Sequence, residues 1–160
     1  MAGPGLYSTI EATVKSYVSS YAEAVQVNDA SILSRALAPE CQRELTPASM
    51  FRTIDIPFNP KMGNAAYETH MTKEIEFLEY AKAEIVNLMV DTVGRKAGAR
   101  SSHTLKLKNG SAHVVEFCWF LDLTNDGTKI KYITQFVDAT GGASFLAEMK
   151  QVASQGAKDE

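Results

Sequence analysis

Cysteine is scarce in this chain. Cys41 and Cys118 are the only two among 160 residues. That is too few for a disulfide framework, so a reducing, cytoplasmic setting is expected. Long apolar runs are missing too. Stretches such as residues 117–121 end after a few positions, far short of the ~20 residues a membrane-spanning helix needs. The start, Met1-Ala2-Gly3-Pro4-Gly5, has no basic cluster followed by an apolar segment, so no secretory signal is expected. Basic residues do not predominate: 16 Lys and Arg stand against 19 Asp and Glu, a net charge of −3. Neither nucleic acid nor an anionic membrane is therefore an expected partner. Several chemical signatures are absent as well. There is no His-Glu-x-x-His, no paired Cys-x-x-Cys, no Gly-x-Gly-x-x-Gly after a strand, no P-loop and no Gly-x-Ser-x-Gly elbow. The three histidines are too scattered to argue for a metal site. These absences leave acid/base chemistry in a shaped cavity, or binding alone.

What is present is ordinary globular material, 45% hydrophobic and 22% charged. Its length predicts one domain, 1–160, with a core over 8–152 and flexible ends. The organising stretch is 111–138. Residues 111–123 carry Val114, Val115, Phe117, Trp119 and Leu121, and residues 128–138 carry Ile130, Tyr132, Ile133, Phe136 and Val137. Between them lies Thr124-Asn125-Asp126-Gly127. Two β-rich runs around an Asp-Gly turn predict a hairpin. Apolar residues at three- and four-residue steps, Ile10, Val14, Tyr17, Val18, Tyr21 and Val25, predict a helix over 8–27. A second short helix is expected over 30–37, capped by Asp29 and stopped by Pro39. A short strand is expected over 41–45, a loop over 46–50 and an irregular excursion, a candidate lid, over 52–63. A third helix over 65–80, capped by Asn64, precedes strands at 83–93 and 99–107. Gly141-Gly142 breaks the sheet, and a terminal helix spans 143–152. Helices segregated from an antiparallel meander mean α+β.

The opening helix with Tyr17 and Tyr21 is followed by Leu45-Thr46-Pro47-Ala48-Ser49, Asn64-Ala65-Ala66-Tyr67 and Asp91-Thr92-Val93-Gly94-Arg95-Lys96. Then come Asp126-Gly127-Thr128-Lys129-Ile130 and Phe136-Val137-Asp138, with Phe145 in a helix after them. Taken together, residues 8–150 resemble the SnoaL-like branch of the nuclear transport factor 2-like (cystatin-like α+β barrel) superfamily. They are most similar to small fungal enzymes that rearrange meroterpenoid and indole-alkaloid skeletons. The resemblance implies a cone-shaped α+β barrel: a strongly curved antiparallel sheet wrapped around N-terminal helices, with a short C-terminal helix. It also implies a homodimer joined through the outer sheet face, a cavity inside the cone, and chemistry without a cofactor.

Gln135 stands where many similar sequences carry a carboxylate aimed into the cavity. An amide cannot exchange protons near neutral pH, but it can hold a carbonyl or hydroxyl. Arg43, at the cavity mouth by the same resemblance, can stabilise an oxyanion or pair with Glu40 or Glu44. His70, near Tyr67 and Met71 on the third helix, is a candidate proton carrier. Strand parity puts 113, 115, 117 and 119 on one face and 114, 116, 118 and 120 on the other. Glu116, in an apolar row, is either a buried acid with a raised pKa or a polar contact at a dimer face. Trp119 and Phe117 line a pocket or pack a core. Tyr21, Asn64, Tyr67 and His113 complete the expected substrate contacts, Asn64 also reading as a helix cap; His103 reads as structural. The function expected from these residues and this resemblance is a cofactor-independent isomerase or cyclase acting on a polycyclic terpenoid, polyketide or alkaloid. A dehydratase, an epoxide hydrolase and a non-catalytic small-molecule binder are the alternatives.

Overall fold

The structure is a computed structural model, and it describes residues 5–53 and 60–157. Of the excursion suspected of being a lid, 52–63, residues 54–59 fall outside those described, while Arg52 and Thr53 end a helix and Lys61–Gly63 form a strand. Helix α1, Leu6–Val27, buries Ile10, Val14, Tyr17 and Val18 on one stripe. It ends where Asn28 turns left-handed (φ 55°) and its N–H bonds back to Ala24 and Val25. Asp29 then caps a 3-10 turn, Ala30–Ser34, by accepting from the Ser31 N–H.

The chain leaves that turn straight into strand β1, Leu37–Thr46. The expected second helix is therefore one turn long, and Pro39 lies in a strand. It is tolerated there because it is exposed and the register with the neighbouring strand shifts between Leu37 and Gln42. Helix α2, Ala48–Thr53, replaces the loop predicted at that point. Strand β2, Lys61–Gly63, leads into α3, Asn64–Glu76, which is shorter than predicted because Leu78 already begins β3, Leu78–Asp91. Strands β4, Lys96–Leu107, β5, Ala112–Leu123, and β6, Ile130–Val137, complete the meander. Helix α4, Ala139–Gly156, starts four residues earlier than the glycine pair suggested. Asp138 accepts from the Thr140 and Gly141 N–H groups, which places both glycines in its first turn. A Cβ on Gly142 would sit 2.8 Å from Val137 Cγ1, so only glycine lets α4 pack this close to β6.

One curved sheet has the order β2-β1-β6-β5-β4-β3. All neighbours are antiparallel except β1 and β6, which run parallel. A parallel pair needs a long crossover, and α3 with the β3–β5 meander supplies it. Sequence reasoning saw the meander but not that β1 extends it. The turn between β5 and β6 is not a two-residue hairpin: the Thr124 N–H bonds to Lys129 O at 2.8 Å, closing a longer loop. Gly127 (φ 74°) presses against α1, where Thr13 Oγ1 donates to its carbonyl at 2.7 Å. This tie fixes α1 across the concave face of the sheet.

Two apolar clusters result. One joins α1 to β1, β5 and β6 through Ile10, Val14, Leu121, Leu123, Ile130 and Ile133. The other joins α3 and α4 to β4 and β5 through Met71, Ile75, Leu105, Leu107, Val115 and Phe145. Each such side chain contributes roughly 1.5–3 kcal/mol by leaving water. Among the described residues, no helix is long and apolar enough to cross a membrane.

Candidate active site

Inward-facing positions of β1, β4, β5 and β6 meet α1, α3 and α4 around a cavity of about 100 Å³. At one wall stands Arg43. The parallel register pairs Arg43 with Ile133 and Leu45 with Gln135, so Arg43 and Gln135 share the inner face two residues apart. Arg43 Nη1 donates to Gln135 Oε1 and to Tyr17 Oη, each at 2.8 Å. Its guanidinium carbon lies 3.6 Å from the centroid of the Tyr67 ring, a close cation–π contact. The residue is 3% exposed, yet among the described residues no carboxylate lies within ion-pair distance of it. Among the described residues, this permanent cation is held by an amide oxygen, a phenol and a ring face. Burial raises the Tyr17 pKa well beyond neutrality, so the phenol keeps its proton. The Gln135 oxygen is engaged by Arg43, while its NH₂ end has no hydrogen bond among the described residues.

A second cluster comes from α3. Tyr67, His70, Met71 and Glu74 follow one another at helical spacing, so they share a face. All four line the cavity. Tyr21 Oη, from α1, donates to Glu74 Oε1 at 2.5 Å. Burial pushes the Glu74 pKa up; the Tyr21 hydrogen bond and the nearby His70 partly offset this by favouring the charged form. Burial, reinforced by the Glu74 charge, also raises the Tyr21 pKa. The result is a carboxyl able to hold or release a proton inside an apolar chamber.

The third cluster lies on the sheet. Trp119 Nε1 donates to Ser101 Oγ at 2.8 Å, and Ser101 Oγ lies 3.0 Å from His103 Nε2. His103 is stacked edge-on against Phe117, 4.7 Å between centroids. Burial pulls its pKa down to about 4, so it is neutral at pH 7.

Ten residues were expected to form the site. Arg43, Gln135, Tyr67, Tyr21, Phe117 and Trp119 line the cavity. His70 also lines it, from an exposed position on its rim. Three others require correction. Glu116 is on the outer sheet face, 3.6 Å from Arg100, because the even-numbered row of β5 points away from the helices. His113 does point inward, but α4 covers that end of β5: its Nε2 bonds to Glu148 and its ring packs on Phe145. Asn64 neither faces the cavity nor caps α3; its amide donates to Ala38 O at 2.9 Å. Sequence reasoning missed Glu74 and read His103 as structural. Glu74 was findable, since it lies seven residues beyond Tyr67 on the same helical face. Among the described residues, no group of three His, Cys, Asp or Glu side chains could hold a metal ion.

No family model matches the chain, and no curated protein matches its sequence. Solved structures do match its fold. BvnE pinacolase from Penicillium brevicompactum aligns at a TM-score of 0.77 and 15% identity, over 94% of this chain and 99% of that one. PrhC from Penicillium brasilianum aligns at 0.74 and 16% identity, over 96% and 95%. An epoxide hydrolase of Mycobacterium tuberculosis, of the LEH-like kind, aligns at 0.57 and 12% identity, over 93% and 97%. Proteins of cystatin-like fold from Methylobium petroleophilum and of nuclear transport factor 2-like fold from Burkholderia pseudomallei align at 0.59 and 0.57. The chain therefore has the cystatin-like, nuclear transport factor 2-like α+β fold.

Proposed function

We propose that this protein is a cofactor-free isomerase or cyclase that rearranges a polycyclic secondary metabolite, with Glu74 moving the proton. The observation that carries this reading is the half-buried carboxyl of Glu74, hydrogen-bonded by Tyr21 and set in the same cavity as a buried Arg43 that has no carboxylate partner among the described residues. A binder has no use for a titratable group held at raised pKa; a proton-transfer enzyme does. Phe117, Trp119 and Leu45 offer an apolar wall for a ring skeleton. Arg43 and the Gln135 NH₂ hold an oxygen and stabilise negative charge that develops on it. Glu74, with His70 one turn away, takes a proton from one position and returns it at another, so the product has the mass of the substrate. The likeness in fold to a pinacolase from Penicillium fits this reading, and the epoxide hydrolase neighbour shows that the same fold accommodates a hydrolase.

The test is metabolic. The gene is deleted in its native host, metabolites are compared by mass spectrometry, and purified protein is added to whatever accumulates. Conversion of a precursor to an isomer of equal mass by the protein alone is the expected result. A mass change of one water would assign a dehydratase or hydrolase instead. No conversion without a second protein would leave a binding role.

The outer sheet face supports a second expectation, a homodimer. Phe120 and Phe136 are 60% and 47% exposed there, beside Cys118 and the Arg100–Glu116 pair. Two such rings on adjacent strands form an apolar patch of the kind that marks an interface. Phe120→Lys is expected to convert a dimer to a monomer in sedimentation analysis. A wild-type monomer at micromolar concentration would end the idea.

A further inference from the structure

His103 takes no part in the proton transfer assigned to Glu74, yet it contains the one buried side-chain polar atom without a hydrogen-bond partner among the described residues: Nδ1. The residue is 2% exposed and lines the cavity, with the Tyr21 ring 5.7 Å away. Buried polar groups are almost always paired, so an unpaired one on a cavity-lining ring points to a missing partner.

The chain of hydrogen bonds behind His103 fixes what that partner must be. An indole N–H can only donate, so at Trp119 the Ser101 oxygen is the acceptor. Ser101 is fully buried and has one proton of its own to place. Among the described residues, His103 Nε2 is the acceptor in reach of it. Ser101 therefore donates to Nε2. A neutral imidazole carries a single proton, and with Nε2 accepting, that proton is on Nδ1. The low pKa that burial gives the ring keeps it neutral across the physiological range. The relay Trp119 → Ser101 → His103 thus ends in an N–H donor on a ring that lines the cavity, with nothing among the described residues to receive it.

We propose that His103 Nδ1–H binds an acceptor oxygen of the substrate, a ketone, quinone, ether or epoxide oxygen, and so selects ligands that present one at the β4–β5 wall. This rests on the reading of the cavity as a ligand site. Arg43 and Gln135, on β1 and β6, hold one oxygen; His103, on β4, holds a second. A compound lacking the second oxygen leaves a desolvated donor unpaired and binds more weakly.

The test uses wild-type protein, His103→Phe and Ser101→Ala, with 1-tetralone and its oxygen-free counterpart tetralin as probes. Ring ¹⁵N shifts of His103 in the free wild type are expected to show the Nδ1–H tautomer, and 1-tetralone should move the Nδ1 proton downfield. By NMR titration, 1-tetralone should bind at least tenfold tighter than tetralin. His103→Phe should remove most of that preference while leaving tetralin affinity within about twofold. Ser101→Ala should weaken it, because nothing then fixes the tautomer. An Nε2–H tautomer, or undiminished 1-tetralone affinity in His103→Phe, would overturn the inference while tetralin binding left the cavity reading intact. If neither probe binds, the cavity reading itself fails and the inference falls with it. The wild-type tautomer measurement decides the donor even if His103→Phe does not fold.

Discussion

Replacing Glu74 by glutamine is expected to lower turnover by ~10²–10⁴-fold, the usual contribution of a positioned acid or base, on the substrate identified by metabolite comparison. Glutamine has the same shape and can still accept the Tyr21 hydroxyl through its oxygen, so packing and that hydrogen bond survive. Only the exchangeable proton is lost. The pH profile gives an independent reading. Burial raises the Glu74 pKa, so the wild-type limb set by this carboxyl lies above the ordinary glutamate value of ~4.3. As a base, Glu74 gives activity that rises with pH through that limb; as an acid, activity that falls. Tyr21 donates to the carboxylate and so pulls the pKa down. Tyr21→Phe should therefore move the limb to higher pH, and Glu74→Gln should delete it. Stability follows the same proton. A group whose folded pKa is raised stabilises the fold below its unfolded pKa, and that stability is lost as pH rises through the folded pKa. Denaturant titrations from pH 4 to 8 should show this slope in the wild type and not in Glu74→Gln. A variant with more than half of wild-type turnover would remove Glu74 from the chemistry.

Much of the fold was legible because its signals are local. The stripe of Ile10, Val14, Tyr17 and Val18 does form one helix, and the β-rich runs either side of Asp126-Gly127 do pair. The neighbours' likeness bears out the α+β class that the resemblance implied. What was illegible depends on distant partners. Leu37–Thr46 is a ten-residue strand only because β6 offers it a parallel edge, and nothing near Pro39 announces that edge. Gly141-Gly142 reads as a break, but it opens a helix because Asp138 caps it and Val137 needs the space. The candidate site divides the same way. Arg43 and Gln135 are 92 residues apart and still meet; the resemblance put each at the cavity but did not pair them. Parity put Glu116 and Phe117 on opposite faces but could not say which face was inner; α1 and α3, packed against the odd-numbered row, decide it. His103 was discounted because strand histidines are often structural. Its significance arises from Ser101 and Trp119, whose alignment across β4 and β5 no single-strand reading contains.

Arg43→Met is expected to cost turnover ~10²–10³-fold, the scale of removing a main donor to a developing oxyanion, while leaving thermal stability unchanged or raised. The two effects separate because this cation is buried without a carboxylate among the described residues. Taking a guanidinium out of water costs several kcal/mol even after relaxation. Two charge-assisted hydrogen bonds, ~1.5–3 kcal/mol each, and the Tyr67 ring, ~2 kcal/mol for a desolvated cation–π contact, about offset that cost. Methionine fills similar space without the penalty. It does strip Tyr17 Oη and Gln135 Oε1 of their donor, a loss of ~1–3 kcal/mol each if they stay dry. Both residues line the cavity, however, so water can replace the guanidinium. Desolvation then wins or balances, as expected if Arg43 serves the ligand role proposed for it. Arg43→Lys separates charge from shape. It keeps the positive charge but not the planar fork that reaches Tyr17 and Gln135 together, so turnover should recover only partly. Calorimetry decides the matter. For a domain of this size 1 kcal/mol moves the midpoint by ~2–4 °C. A fall of more than ~8 °C in Arg43→Met would make Arg43 a structural tie between β1, β6 and α1. An unchanged or higher midpoint with turnover lost would mean that the fold holds this buried charge at a cost in stability, for the sake of the oxygen it binds.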